Sequence, residues 1–97
     1  MDIRMIKNKL EEDKHHIKTF FYVREIGIFG SFIKGIQTSK SDIDILVDFE
    51  EGHKDFFNYM RLKYYLENIL KRKVDLIMKK AIKPQLKKHI LKEVEYV

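Results

Sequence analysis

A small α/β domain, with a three- or four-stranded mixed β-sheet flanked by helices, is the fold class this sequence predicts. Three observations predict it. Apolar residues recur at helical spacing near the start, in the middle and near the end of the chain. Short runs rich in β-branched and aromatic residues lie between those stretches. The two kinds alternate as α-β-(turn)-β-α-β-α, the order of layered α/β domains. The chain has 97 residues, of which 44% are hydrophobic, enough for a single domain over residues 1–97 around one core.

The elements follow in order. Ile3, Ile6, Leu10 and Ile17 mark a first helix that Asp2 can cap and that runs to about Phe20. "REIGIFG" reads as a short strand ending at Gly30, and a brief helical turn and a loop follow in "SFIKGIQTSKS". "DIDILVDF" is the clearest strand, and Gly52 turns the loop after it. A second long helix spans about Asp55 to Lys71, with Phe56, Tyr59, Leu62, Leu66 and Ile69 as its buried stripe. "KVDLIM" is a third strand, expected inside the sheet and parallel to the second because a helix joins them. Pro84 suits the first turn of a last helix with Leu86, Ile90 and Val94 along one side.

Composition removes several classes of function. The chain has no cysteine, hence no disulfide and no thiolate metal site. No apolar run approaches the ~20 residues that span a bilayer, and "MDIRMIKNKLEED" has no apolar h-region, so a cytoplasmic protein away from membranes is expected. A net charge of +5 favours an anionic partner, yet the lysines are dispersed and no ordered basic-aromatic motif accompanies them. Direct nucleic-acid binding is therefore not expected. An exposed edge strand in so small a sheet could pair subunits into a homo-oligomer.

The chemistry is concentrated between Gly30 and Asp75. Gly30 ends a strand and Ser31 opens a helical turn, which presents backbone N–H groups and a hydroxyl to an anion such as a phosphate. A Walker loop is excluded, because Ile36-Gln37 stand where Lys-Ser/Thr is required. Asp42 and Asp44 share one face of a strand with Cα atoms ~6.5–7 Å apart, while Ile43, Ile45 and Val47 hold the register from the other face. Two like charges side by side normally cost stability, so either they lie on a solvent face and mean little or a cation is expected between them. Asp75 offers a third carboxylate that needs a partner inside a sheet, either Lys73 or, more sharply, a shared metal. His15 and His16 point apart on their helix. His53 follows the aspartate strand near enough to touch a substrate, though a solvated loop residue is the simpler reading. Tyr59, Tyr64 and Tyr65 could stack a base, but Tyr59 belongs to the buried stripe of its helix. Lys79, Lys80 and Lys83 read as a solvated face.

Gly30-Ser31, ten residues, then Asp42-Ile43-Asp44 resembles the GS-x10-DxD signature of the polymerase-β-like nucleotidyltransferase superfamily. Within it, "IGIFGSFIKGIQTSKSDIDILVDFEE" is similar to the minimal nucleotidyltransferases (MNT), small proteins often encoded beside a HEPN-domain toxin. The resemblance extends to the Asp-bearing strand and to the closing "KPQLKKHILKEVEYV". Ile33-Lys34 departs from it, since these proteins usually carry Ala-Arg there. Lys34 keeps the charge and loses the bidentate fork.

The resemblance implies a polymerase-β-like palm in which Gly30, Ser31 and Lys34 hold the nucleoside triphosphate. It implies that Asp42, Asp44 and Asp75 bind Mg²⁺, two ions in all, with Asp75 also helping to deprotonate an acceptor hydroxyl. The implied reaction moves AMP from ATP to that hydroxyl, a tyrosine of the cognate HEPN ribonuclease toxin, so that the protein is an antitoxin. The alternative is a non-catalytic antitoxin that neutralises its partner by forming a complex.

Overall fold

Four strands form one sheet in the order β3-β2-β1-β4 in the computed structural model, which describes all 97 residues. Along the chain these are α1 (Ile3–Phe20), β1 (Val23–Phe29), α2 (Ser31–Lys34), β2 (Ile43–Phe49), α3 (Phe56–Leu70), β3 (Val74–Met78), a 3₁₀ turn (Lys79–Ala81), α4 (Pro84–Glu93) and β4 (Glu95–Tyr96). β1 runs antiparallel to both β2 and β4, and β2 runs parallel to β3. The parallel pair needs a crossover, and α3 supplies it.

Both long helices begin where an aspartate accepts an otherwise orphaned N–H. The Met5 amide donates to Asp2 at 3.0 Å and the Asn58 amide to Asp55 at 2.9 Å. Ile6, Leu10 and Ile17 of α1 are buried, as are Leu62, Leu66 and Leu70 of α3. They meet Ile43, Ile45, Val47 and Phe49, which alternate along β2 and share one face of the sheet. The expected stripe of α3 needs one correction. Asn58, Leu62, Leu66 and Leu70 set its inward phase, and Phe56 lies about 200° round the helix from Asn58, so its ring is 68% exposed. Asn58 is buried because it ties two loops together, donating to the carbonyls of Phe21 at 2.8 Å and His53 at 2.9 Å. No helix is long and apolar enough to cross a membrane.

The third strand also departs from expectation, for β3 lies at the edge of the sheet instead of inside it. Val74 and Leu76 face the core while Asp75 is exposed. No ion pair joins its carboxylate to Lys73. The buried N–H at the start of β3 is satisfied by the Glu67 carboxylate, 3.0 Å from the Val74 nitrogen.

β4 is too short to leave a periodic signal, and the sequence reading misses it. Gly27 makes it possible. A Cβ there would lie 2.8 Å from Val94 Cγ2 and 2.9 Å from the Glu95 carbonyl oxygen, so only glycine lets β4 come within pairing distance. Gly27→Ala therefore loosens β4, with an expected stability loss of about 1–3 kcal/mol in chemical denaturation. Hydrogen exchange locates the effect. The Val97 amide, bonded to the Ile26 carbonyl at 2.9 Å, loses protection while amides in β2 keep theirs. Unchanged protection at Val97 would contradict this account.

Candidate active site

The face of the sheet turned away from α1 and α3 carries the acidic side chains. β2 places Asp44 there, and the parallel register sets Asp44 directly beside Asp75 on β3. Asp42, expected on the strand, instead lies just before the first residue of β2, close enough to Asp44 for its charge to act on that carboxylate. On the other flank, Phe29 at the end of β1 is the register partner of Asp44, so the chain turns at Gly30 immediately above that carboxylate. The six residues singled out from sequence thus converge from three segments of the chain.

Gly30 has φ +79° and ψ −149°, a conformation that side chains other than hydrogen rarely adopt. A Cβ built on it would strike the Asp44 carboxylate. Both demands apply at once. After Gly30, a single tight helical turn carries Ser31 to Lys34, closed by the Lys34 amide donating to the Gly30 carbonyl at 3.1 Å. Gly35, at φ +71°, ends it in the left-handed region. Phe32 is buried beneath this turn and anchors it to the core.

Electrostatics mark Asp44 as the centre of the cluster. Its pKa is pushed up from 3.8 to about 6, first by burial and then by repulsion from Asp75, with a smaller push from Asp42. The Ser31 amide acts the other way by donating toward the carboxylate. Asp42 and Asp75 are exposed. No three acidic or histidine side chains close tightly enough to enclose a metal unaided. The donor set still suits a hard cation. Three carboxylates gather at one end of the sheet, the Ser31 amide offsets only part of what raises the Asp44 pKa, and the two outer ones are open to solvent. Mg²⁺ takes few carboxylates and completes its shell with water and phosphate oxygens.

Two contributors escaped the sequence reading. Arg72 donates from Nε to the Ser41 carbonyl at 2.9 Å and from a terminal nitrogen to the Thr38 carbonyl at 2.7 Å, with its guanidinium 5.2 Å from the Phe32 ring centre. It pins the loop that delivers Asp42. Glu93, at the end of α4, accepts from the Gly30 amide at 2.8 Å and lies 3.6 Å from Lys34 Nζ and 3.7 Å from His89 Nε2. A lone Arg and a lone Glu in charged stretches carry no signal for such contacts.

Other candidates fall outside the site. His53 stacks on Tyr22 with centroids 3.8 Å apart, at the opposite end of β2. A seven-residue strand puts it roughly 20 Å from Asp42. The Tyr59 hydroxyl donates to the Leu76 carbonyl at 2.6 Å and the Tyr65 hydroxyl to Asp13 at 2.6 Å, so both serve packing. His16 stacks on Phe20. Lys79 is not a solvated residue of a charged face, because Glu25 holds it at 2.9 Å. A hollow of about 240 Å³ among Val47, Phe49, Lys54, Met78 and Lys80 also lies at that far end. The carboxylates instead sit on an open shelf.

This arrangement, a Gly-Ser turn pressed on paired strand carboxylates, defines a class of phosphate-handling proteins, and comparison with known proteins agrees. Residues 3–97 match the model of the nucleotidyltransferase domain family, and the chain belongs to that family. It is similar to the protein adenylyltransferase MntA of Thermococcus cleftensis, 41% identical over 97 residues and covering 100% of this chain and 97% of that one. A solved structure assigned as a minimal nucleotidyltransferase superposes with a TM-score of 0.84 at 29% identity, over 98% of this chain and 95% of the other. The MNT antitoxin fold solved with a tri-AMPylated HEPN toxin of Shewanella oneidensis superposes at 0.68 with 20% identity, over 96% and 69% of the two chains. The mixed sheet with its helices is thus the polymerase-β-like nucleotidyltransferase fold.

Proposed function

We propose that residues 1–97 act as a single catalytic palm that transfers AMP from ATP to a hydroxyl of a HEPN-type partner protein, and that this silences the partner. One observation carries the reading: the register that sets Asp44 beside Asp75 directly beneath the Gly30 turn. The MntA relative and the AMPylated toxin complex supply the acceptor class. The open shelf fits as well, since a site without walls needs its acceptor delivered by a second protein.

In this reading Ser31 and Lys34 hold the triphosphate by hydroxyl, amide and charge. Asp42, Asp44 and Asp75 would hold Mg²⁺, which when bound supplies neutralisation of the charge on the transferring phosphate. The acceptor oxygen forms a bond to the α-phosphorus, the bond from that phosphorus to the bridging oxygen breaks, and pyrophosphate leaves. The hydroxyl proton passes to the Asp75 carboxylate, which is exposed. Positioning and charge compensation account for most of the rate. We place the protein in the cytoplasm.

The test uses the purified chain, ATP labelled at the α-phosphate, Mg²⁺ and the HEPN-type protein encoded beside it. Label appears on a partner tyrosine and disappears with Asp42→Ala. If Asp42→Ala and Asp44→Ala variants protect cells from the partner as well as the wild type does, binding alone suffices and the catalytic reading fails.

A further inference from the structure

We propose that Glu93 sets the affinity of the Gly30–Lys34 turn for the triphosphate, by occupying in the free chain the place of a phosphate oxygen. The inference rests on the nucleotidyltransferase reading above. One carboxylate engages both kinds of group that a phosphate would use there. Its Oε1 accepts from the Gly30 amide at 2.8 Å and its Oε2 lies 3.6 Å from Lys34 Nζ. The Glu93 side chain is only 17% exposed, whereas Lys34 is 47% exposed.

The placement follows from topology. Gly27 pairs with Tyr96 and Ile28 with Glu95 in the antiparallel β1–β4 ladder. Continuing that register past the ladder brings Glu93 opposite Gly30. The segment behind Glu93 is fastened, with the Val97 amide donating to Ile26 at 2.9 Å and Lys7 paired to Glu95 at 2.9 Å. Glu93 therefore yields to an incoming triphosphate by turning its side chain, without α4 leaving. Until it turns, it repels the ligand and engages Lys34, and both effects weaken binding. Its i, i+4 neighbour His89 lies 3.7 Å away and is 69% exposed.

Glu93→Gln separates charge from shape, because the amide oxygen still accepts from Gly30. Titration calorimetry of the full chain with AMP-PNP and Mg²⁺ is the measurement. In roughly 50 mM salt Glu93→Gln binds at least about fivefold more tightly than the wild type, and the gain shrinks as salt rises toward roughly 0.5 M. Glu93→Ala, which frees the Gly30 amide as well, also binds more tightly. Were Glu93 merely a brace for the turn, Glu93→Gln would match the wild type and Glu93→Ala would bind more weakly, and either result overturns the inference while wild-type binding upholds the reading beneath it. Failure of wild type and both variants alike to bind AMP-PNP overturns that reading, and the inference with it.

Discussion

Asp44→Asn lowers AMP transfer by about a thousandfold, the size expected when a group aimed at developing charge is removed, and yet makes the ion-free chain more stable near neutral pH. The two effects share a cause. Burial and the neighbouring Asp75 and Asp42 raise the Asp44 pKa from 3.8 to about 6. Between those values the folded chain binds a proton that the unfolded chain does not, so stability falls as pH rises from about 4 to 6. Above that window the folded state carries the whole cost of an ionised, crowded carboxylate. Below it the cost is absent. Asparagine never ionises, so the variant gains about 1 kcal/mol at pH 7.5 once solvent screening of this half-buried group is allowed for. The gain vanishes below about pH 4. Denaturant titrations of both proteins in EDTA across that range check it. A variant less stable than the wild type at pH 7.5 would show that Asp44 is held by compensating bonds and is not a strained member of the site.

That combination, a crowded carboxylate that costs stability where the proposed chemistry needs it, explains why the candidate site was legible in the sequence while much around it was not. Alternation of Ile43, Ile45 and Val47 with Asp42 and Asp44 states both the strand and the face, because a slip by one residue would bury two charges. The helices were equally plain from the phases of Ile6, Leu10 and Ile17 and of Leu62 and Leu66, although the stripe drawn through Phe56 and Ile69 missed Asn58 and Leu70. Failures came where tertiary register decides. The apolar run around Asp75 reads as an interior strand, but Val74 and Leu76 face the core from one side only, and nothing local says that no strand lies beyond. Glu93 and Arg72 act through backbone groups far away in sequence, which periodicity cannot register. In α4 Leu86 and Ile90 keep the expected line, but Val94 falls just past the helix end in extended backbone, and no residue of the helix is buried. Amphipathic spacing reports a capacity for packing, and the partner surface has to come from elsewhere.

Gly30→Ala abolishes activity to the same extent as losing a carboxylate, about a thousandfold, although it removes no functional atom. The added methyl must be accommodated at φ +79° and would sit on the Asp44 carboxylate. Moving the turn away takes Ser31 and Lys34 off the phosphate path, whereas moving Asp44 takes it off Asp75, so every relaxation separates the two halves of the site. The strain and the clash together cost about 2–4 kcal/mol of stability. Gly35→Ala is the control that isolates the clash. Gly35 also has positive φ, at +71°, but a Cβ there meets nothing within 4 Å. It pays only for the left-handed backbone, about 1 kcal/mol, and retains activity within about fivefold. Ser31→Ala falls between, near tenfold, for the loss of one hydroxyl bond to a charged ligand. Steady-state rates with the partner protein, alongside melting curves, give all three numbers. Equal losses for Gly30→Ala and Gly35→Ala would mean that turn flexibility matters and not the close approach of Gly30 to Asp44, and the geometric basis of the site would then be wrong.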